Sequence, residues 1–170
     1  MNIRKPVLGL LLAGICQMPI TASAQRYQLS PGGAEVTDAQ TGLIWRRCAE
    51  GMAWNGQTCT GTALNLVHSS AEALAKREAA RDKKAWRLPT FKELQSLQVP
   101  GQFGQLIDAS VFPATPERWF WSVFIDQPGV VDAFNLYFGS AEVAGYADGR
   151  DNLYGAVRLV RNVQRRAAKK

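Results

Sequence analysis

The chain has 170 residues, with 20 Lys plus Arg against 14 Asp plus Glu, a formal net charge of +6 and three cysteines. Its apolar runs fall short of the ~20 residues that a bilayer-spanning helix needs, and its basicity is concentrated at one end. Both points argue against a membrane-spanning mature chain and against a nucleic-acid binder, which would show a body-wide basic face.

Arg4 and Lys5 precede an apolar run from Val7 to Ile15, and Ala22-Ser23-Ala24 stands just before Gln25. This is the pattern of a cleaved secretory signal over residues 1–24, so export to the periplasm or beyond the cell is expected. A lipid-anchored alternative, through Leu12-Ala13-Gly14-Ile15-Cys16, lacks the small residue wanted directly before the cysteine. Removing 24 residues from 170 leaves 146, a length that suits one domain with a single core. Cys48 and Cys59 then remain as an even pair in an oxidising compartment, expected to form a disulfide. With His68 as the only histidine, no metal site and no cofactor are expected.

From Gln25 to Val157 there are 12 basic and 14 acidic residues, whereas Arg158, Arg161, Arg165, Arg166, Lys169 and Lys170 crowd the last segment. The end of the chain, residues 162–170, is expected to be a solvated basic tail. Contact with an acidic polysaccharide or an anionic membrane surface is the alternative.

In chain order, residues 25–34, with Pro31-Gly32-Gly33, read as an irregular leader. Ala34 to Asp38 and Leu43 to Arg47 read as a hairpin whose turn uses positive φ at Gly42, with Trp45 directed to the core. Asn55-Gly56 marks a tight turn inside the disulfide loop, beside Trp54, where packing is favoured over a sugar-stacking role. Ser69 with Glu72 predicts a capping box and a helix from about Ser70 to Lys83, with a Glu72–Lys76 ion pair and with Arg81, Lys83 and Lys84 set to meet the helix dipole. Trp86-Arg87-Leu88-Pro89-Thr90 leads into a second, short helix capped by Thr90 and Glu93, with Phe91, Leu94 and Leu97 on its apolar side. Strands are expected at Trp119 to Phe124, Ala133 to Phe138 and Ala156 to Arg161, the middle one half-buried by alternation.

Taken together, Thr41-Gly42-Leu43-Ile44-Trp45, Arg47-Cys48-Ala49-Glu50-Gly51, Trp54-Asn55-Gly56 with Cys59, Trp86-Arg87-Leu88-Pro89-Thr90 with Glu93-Leu94, Phe112-Pro113 with Thr115-Pro116, Phe120-Trp121-Ser122 and Val157-Arg158-Leu159-Val160-Arg161 follow one another in a familiar order. The run resembles the Lcl C-terminal domain family, named for the collagen-like adhesin of Legionella, over residues 35–161. The resemblance implies an α+β, C-type lectin-like fold, with a small antiparallel sheet, two helices, long loops and one disulfide. It also implies binding of sulfated glycosaminoglycans. The collagen-like stalk and trimer do not carry over, because no Gly-X-Y repeat is present. The calcium-dependent sugar site of such folds does not carry over either, since Gly129 in Gln127-Pro128-Gly129 takes the place of a ligating carboxylate. Nor do Cys48 and Cys59 match the reactive cysteine pair of the formylglycine-generating enzymes that share the fold.

The Gly- and Asp-rich stretches Ile125 to Val130 and Gly139 to Leu153 are the expected binding loops. The candidate ligand-binding residues are Arg118, Asp126, Asp148, Arg150, Asp151 and Asn152, the arginines suited to sulfate or carboxylate. No catalytic residue is assigned: there is no Gly-x-Ser-x-Gly elbow and no Cys/His nucleophile arrangement. The reading is a non-catalytic exported domain that binds a glycan or an anionic surface polymer. Its rivals are an assembly subunit of the cell envelope, which would have a protein partner, and a carbohydrate-active enzyme using Asp126, Asp132, Asp148 or Asp151.

Overall fold

The computed structural model describes residues 26–99, 107–124, 133–139, 146–148 and 154–164. Its strands are β1 (Tyr27–Leu29), β2 (Glu35–Asp38), β3 (Leu43–Arg46), β4 (Met52–Trp54), β5 (Cys59–Gly61), β6 (Arg118–Phe124), β7 (Ala133–Phe138), β8 (Tyr146–Asp148) and β9 (Val160–Asn162). Two helices, α1 (His68–Asp82) and α2 (Phe91–Gln95), lie between β5 and β6. The strands form an antiparallel sheet ordered β1-β2-β3-β9, the β4-β5 hairpin, and a third sheet ordered β6-β7-β8. The first sheet therefore holds both ends of the described chain, β1 and β9, as its two edge strands. The architecture is α+β with small antiparallel sheets, two helices and one disulfide.

Alternation along the strands divides the interior in two. Leu43, Trp45, Phe120, Leu136, Phe138 and Val160 point into one core with Leu94, Leu97 and Phe112. Trp121, Val157 and Leu159 point into a second with Ala71, Leu74, Trp86 and Leu88, while Ile44 and Val123 pack at its margin. Each helix thus covers its own core, and the strands between them are buried on both sides. This corrects the half-buried reading of β7: Asn135 is as inaccessible as Leu136, because it pairs in register with Trp121 beneath the second core. A single core is corrected for the same reason.

The hairpin forms as its sequence predicts, with Val36 opposite Trp45 and Gly42 at φ +70°. Asn55 likewise makes its turn, its Oδ1 accepting from the N–H groups of Gln57 and Thr58. The leader, in contrast, is ordered. Arg26 is anchored on the buried Asp38, Tyr27 sets its ring edge-on to Phe112, and residues 27–29 pair with β2 as an edge strand. Of the expected last strand, Ala156 to Arg161, only Val160 and Arg161 pair as one, in a strand that runs on to Asn162. Ala156 exchanges backbone bonds with Trp119 and Trp121, whereas Val160 exchanges them with Arg87, so the extended segment crosses from one sheet to the other.

Helix α1 begins at His68, and its N-cap, Val67, makes no side-chain cap bond. The predicted Ser69–Glu72 box is absent because tertiary contacts set the start. Leu66 exchanges two backbone bonds with Gly155, and the His68 ring bonds the Ser122 carbonyl while resting edge-on against Trp121. The Glu72–Lys76 pair does not form. At the other end Lys83 adopts a left-handed conformation, φ 52°, that stops the helix. In α2, Thr90 and Glu93 do form the reciprocal box.

Cys48 and Cys59 are bonded across 11 residues, with Cα atoms 5.5 Å apart. Both are almost inaccessible, and the bond ties β3 to the β4-β5 hairpin. Loop-closure entropy assigns such a bond about 3 kcal/mol. The Cys48→Ala, Cys59→Ala variant is expected to lose about that much in urea unfolding, and an unchanged midpoint would contradict it.

Candidate basic face and the ion cluster beneath it

The sequence of α1 balances three acids, Glu72, Glu78 and Asp82, against Lys76, Arg77 and Arg81, with Lys83 and Lys84 following. The fold separates those charges. The buried stripe is Ala71, Leu74, Ala75 and Glu78, spaced as a helix spaces one face, and Asp82 lies one turn further along it. Two of the carboxylates are therefore turned inward, at 5% side-chain exposure for Glu78 and 26% for Asp82. Lys76, Arg77, Arg81, Lys83 and Lys84 stay exposed on the outer side, with Arg77 and Arg81 at 67% and 62%. A helix of near-neutral sequence thus presents a cationic surface.

Beneath that surface Arg46, from β3, receives the buried acids. Its Nη1 donates to both Glu50 oxygens at 3.0 and 2.8 Å and to Glu78 at 2.9 Å, and its Nη2 donates to Asp82 at 2.6 Å. Arg81 reaches the same Glu78 and Asp82 from the outside. Trp86 Nε1 donates to Asp82 at 3.0 Å, so the second core and the cluster share a wall. Burial pushes the Glu50 carboxyl above the usual glutamate range, the Glu78 charge adds to it, and Arg46 opposes both. Asp82 moves the other way: burial would raise it, but Arg81, Arg46 and Trp86 together hold it below the usual range. At the edge of the cluster Glu35 joins Lys84 to Arg161, and Arg46, Arg161 and Lys84 all lie within 6.0 Å of the Trp86 ring.

Two further arginines are internal. Arg47 donates to the Val111 and Ser110 carbonyls and stacks at 3.9 Å on the Trp54 ring. Arg158 is fully buried, donating to the Arg46 and Arg47 carbonyls and to Thr115 Oγ1. Arg158 and Arg161 therefore belong to the body of the domain and not with the basic residues of the tail. Trp54 carries the Arg47 guanidinium against its ring and also lines a pocket.

Of the residues singled out in the sequence, Arg118 opens β6 opposite Phe138, half-buried and with no ion pair among the described residues. Asp148 ends β8, its backbone opposite Phe134. Asp126, Arg150, Asp151 and Asn152, together with Asp132, lie outside the described residues. The α1 cations were legible as five basic residues within positions 76–84, with the two acids between them at core-stripe spacing. The local patterns instead assign Lys76 to an ion pair with Glu72, and Arg81, Lys83 and Lys84 to the helix dipole, and so do not group the five as one face.

The profile of the Lcl C-terminal domain matches residues 34–161. The chain belongs to the Lcl C-terminal domain family. Searches of curated proteins and of solved structures returned no match. Within this Lcl C-terminal domain the residues that carry the resemblance build the frame. Trp45, Trp86, Phe112 and Phe120 fill the cores, and Arg47, Glu50 and Arg158 make the internal polar links. No helix among the described residues is long and apolar enough to cross a membrane.

Proposed function

We propose that this Lcl C-terminal domain is a non-catalytic, exported, adhesin-like binding module. It takes an anionic polymer, a sulfated or carboxylated glycan, against the outer face of α1, on a scaffold of C-type lectin-like kind. The observation that carries the reading is the separation of charge on α1, which leaves five cations exposed while Arg46 holds Glu78 and Asp82 inward. Guanidinium groups bind sulfate and carboxylate through paired, charge-assisted hydrogen bonds, and ammonium groups add point charges. An oxidising destination, periplasmic or extracellular, accords with the buried disulfide.

Retention on immobilised heparin at rising salt tests this. Exposed charge contacts are worth about 0.5 kcal/mol each, so the Lys76→Glu, Arg77→Glu, Lys83→Glu variant should bind about tenfold more weakly or worse. It should also elute at clearly lower salt, since exposed pairs are screened. Unchanged retention would place binding elsewhere, and no retention of the parent chain would remove the acidic-glycan reading.

A further inference from the structure

At the foot of the basic face, among β2, β3, β4 and the end of α1, lies a pocket of about 240 Å³ whose walls include Glu35, Arg46, Glu50, Met52, Trp54 and Arg81. Its two kinds of wall are complementary to one ligand class. Met52 and Trp54 stand on the same side of β4 by strand alternation, and Arg47 stacked on Trp54 fixes that ring in place. The charged walls are equally fixed: Glu50 lies against Arg46, and Glu35 against Lys84 and Arg161. A carboxylate offers about four lone-pair sites, so these ion pairs leave acceptor capacity for further donors. An indole beside oriented carboxylates and guanidiniums suits a sugar ring, which carries apolar C–H faces and a rim of hydroxyls that both donate and accept.

Size and position narrow the choice. The volume lies below the roughly 300–1,000 Å³ of pockets for drug-sized ligands, which suits one ring and not an extended chain. Arg81 lines the pocket and also belongs to the cationic face, so a polymer lying along α1 passes its mouth. We infer that this pocket seats one sugar ring of the anionic polymer, making recognition specific for a saccharide backbone and not for charge alone. The inference rests on the proposed anionic-polymer reading.

The test compares dextran sulfate with polyvinyl sulfonate of matched charge density and length, by titration calorimetry on the full mature chain. Ala34, exposed at the pocket wall, offers a plug: Ala34→Trp is designed to fill the space without replacing any charged side chain. The parent should prefer dextran sulfate at least tenfold, and Ala34→Trp should abolish that preference while leaving polyvinyl sulfonate affinity unchanged. Trp54→Leu, which removes the aromatic wall, should do the same and serves if the plug disturbs folding. Equal affinity of the parent for both polymers, or a preference that survives both variants, overturns the pocket while leaving the binding face intact. Failure of both polymers to bind overturns the underlying reading as well.

Discussion

Arg158→Met is expected to lower unfolding stability by about 3–5 kcal/mol, a large share of the roughly 5–15 kcal/mol that holds a domain of this size together. Arg158 is fully buried in the first core, with its guanidinium 4.9 Å from the centre of the Phe112 ring and 5.7 Å from that of Phe120. Burial lowers it to about 9, opposed by the Glu50 charge, so it remains a cation at neutral pH. It repays that cost by joining distant segments: Nη1 donates to the Arg46 carbonyl at 3.0 Å and to that of Arg47, and Nη2 donates to Thr115 Oγ1 at 2.7 Å. Methionine fills much of the space but leaves those acceptors without donors, and unmade buried hydrogen bonds cost more than made ones gain. Urea unfolding measures the difference; a loss below about 1 kcal/mol would show that the arginine is a packing element only.

Arg46→Leu should cost a similar amount at pH 7, about 3–5 kcal/mol, with a cost that shrinks as the pH falls. The substitution leaves Glu50, Glu78 and Asp82 converging on an apolar side chain: Glu78 keeps Arg77 and Arg81, Asp82 keeps Arg81 and the Trp86 N–H, and Glu50 keeps no ion pair among the described residues. The sign follows from Glu50, already raised in the parent by burial, with Arg46 opposing the rise. A carboxyl raised in the folded state binds its proton more tightly there, so stability increases as pH falls through that raised value. The increase levels off below the ordinary glutamate value of about 4.3. Removing Arg46 raises Glu50 further and widens that window. Asp38, Glu35, Asp82 and Glu93 act oppositely: burial would raise each, but their arginine, lysine and backbone partners prevail and hold them low. Their stabilisation is present above the ordinary carboxyl values and is lost as the pH falls through their depressed ones. Thermal melts of parent and variant at pH 5, 6 and 7 should therefore converge toward pH 5. A gap equal at all three values would contradict the cluster's role.

Local signals and long-range pairings differ in how they appear in a sequence. The Thr90–Glu93 box, the Gly42 turn, the Asn55 turn and the Cys48–Cys59 bond each depend on residues close in the chain or on an unavoidable pairing, and all of them form. The Ser69–Glu72 box has the same local pattern and fails, because Leu66 and His68 are fixed by Gly155 and Ser122. Arg87 shows the limit most plainly. Its guanidinium grips both Glu93 oxygens, a local pairing, and also Asn162, which lies 75 residues away. Arg158 counted as tail charge for a related reason: its acceptors on residues 46 and 47 lie more than a hundred positions earlier. The basic face lies between these cases, since the stripe that hides Glu78 and Asp82 is written in the helix itself.

The most direct measurement is a backbone amide NMR titration of the mature chain with a heparin hexasaccharide, read residue by residue. Binding at the proposed face should shift Lys76, Arg77, Arg81, Lys83 and Lys84 together, saturating at one apparent affinity that weakens with salt. Shifts confined to residues 125–153 or to the 165–170 end, with α1 unmoved, would contradict it.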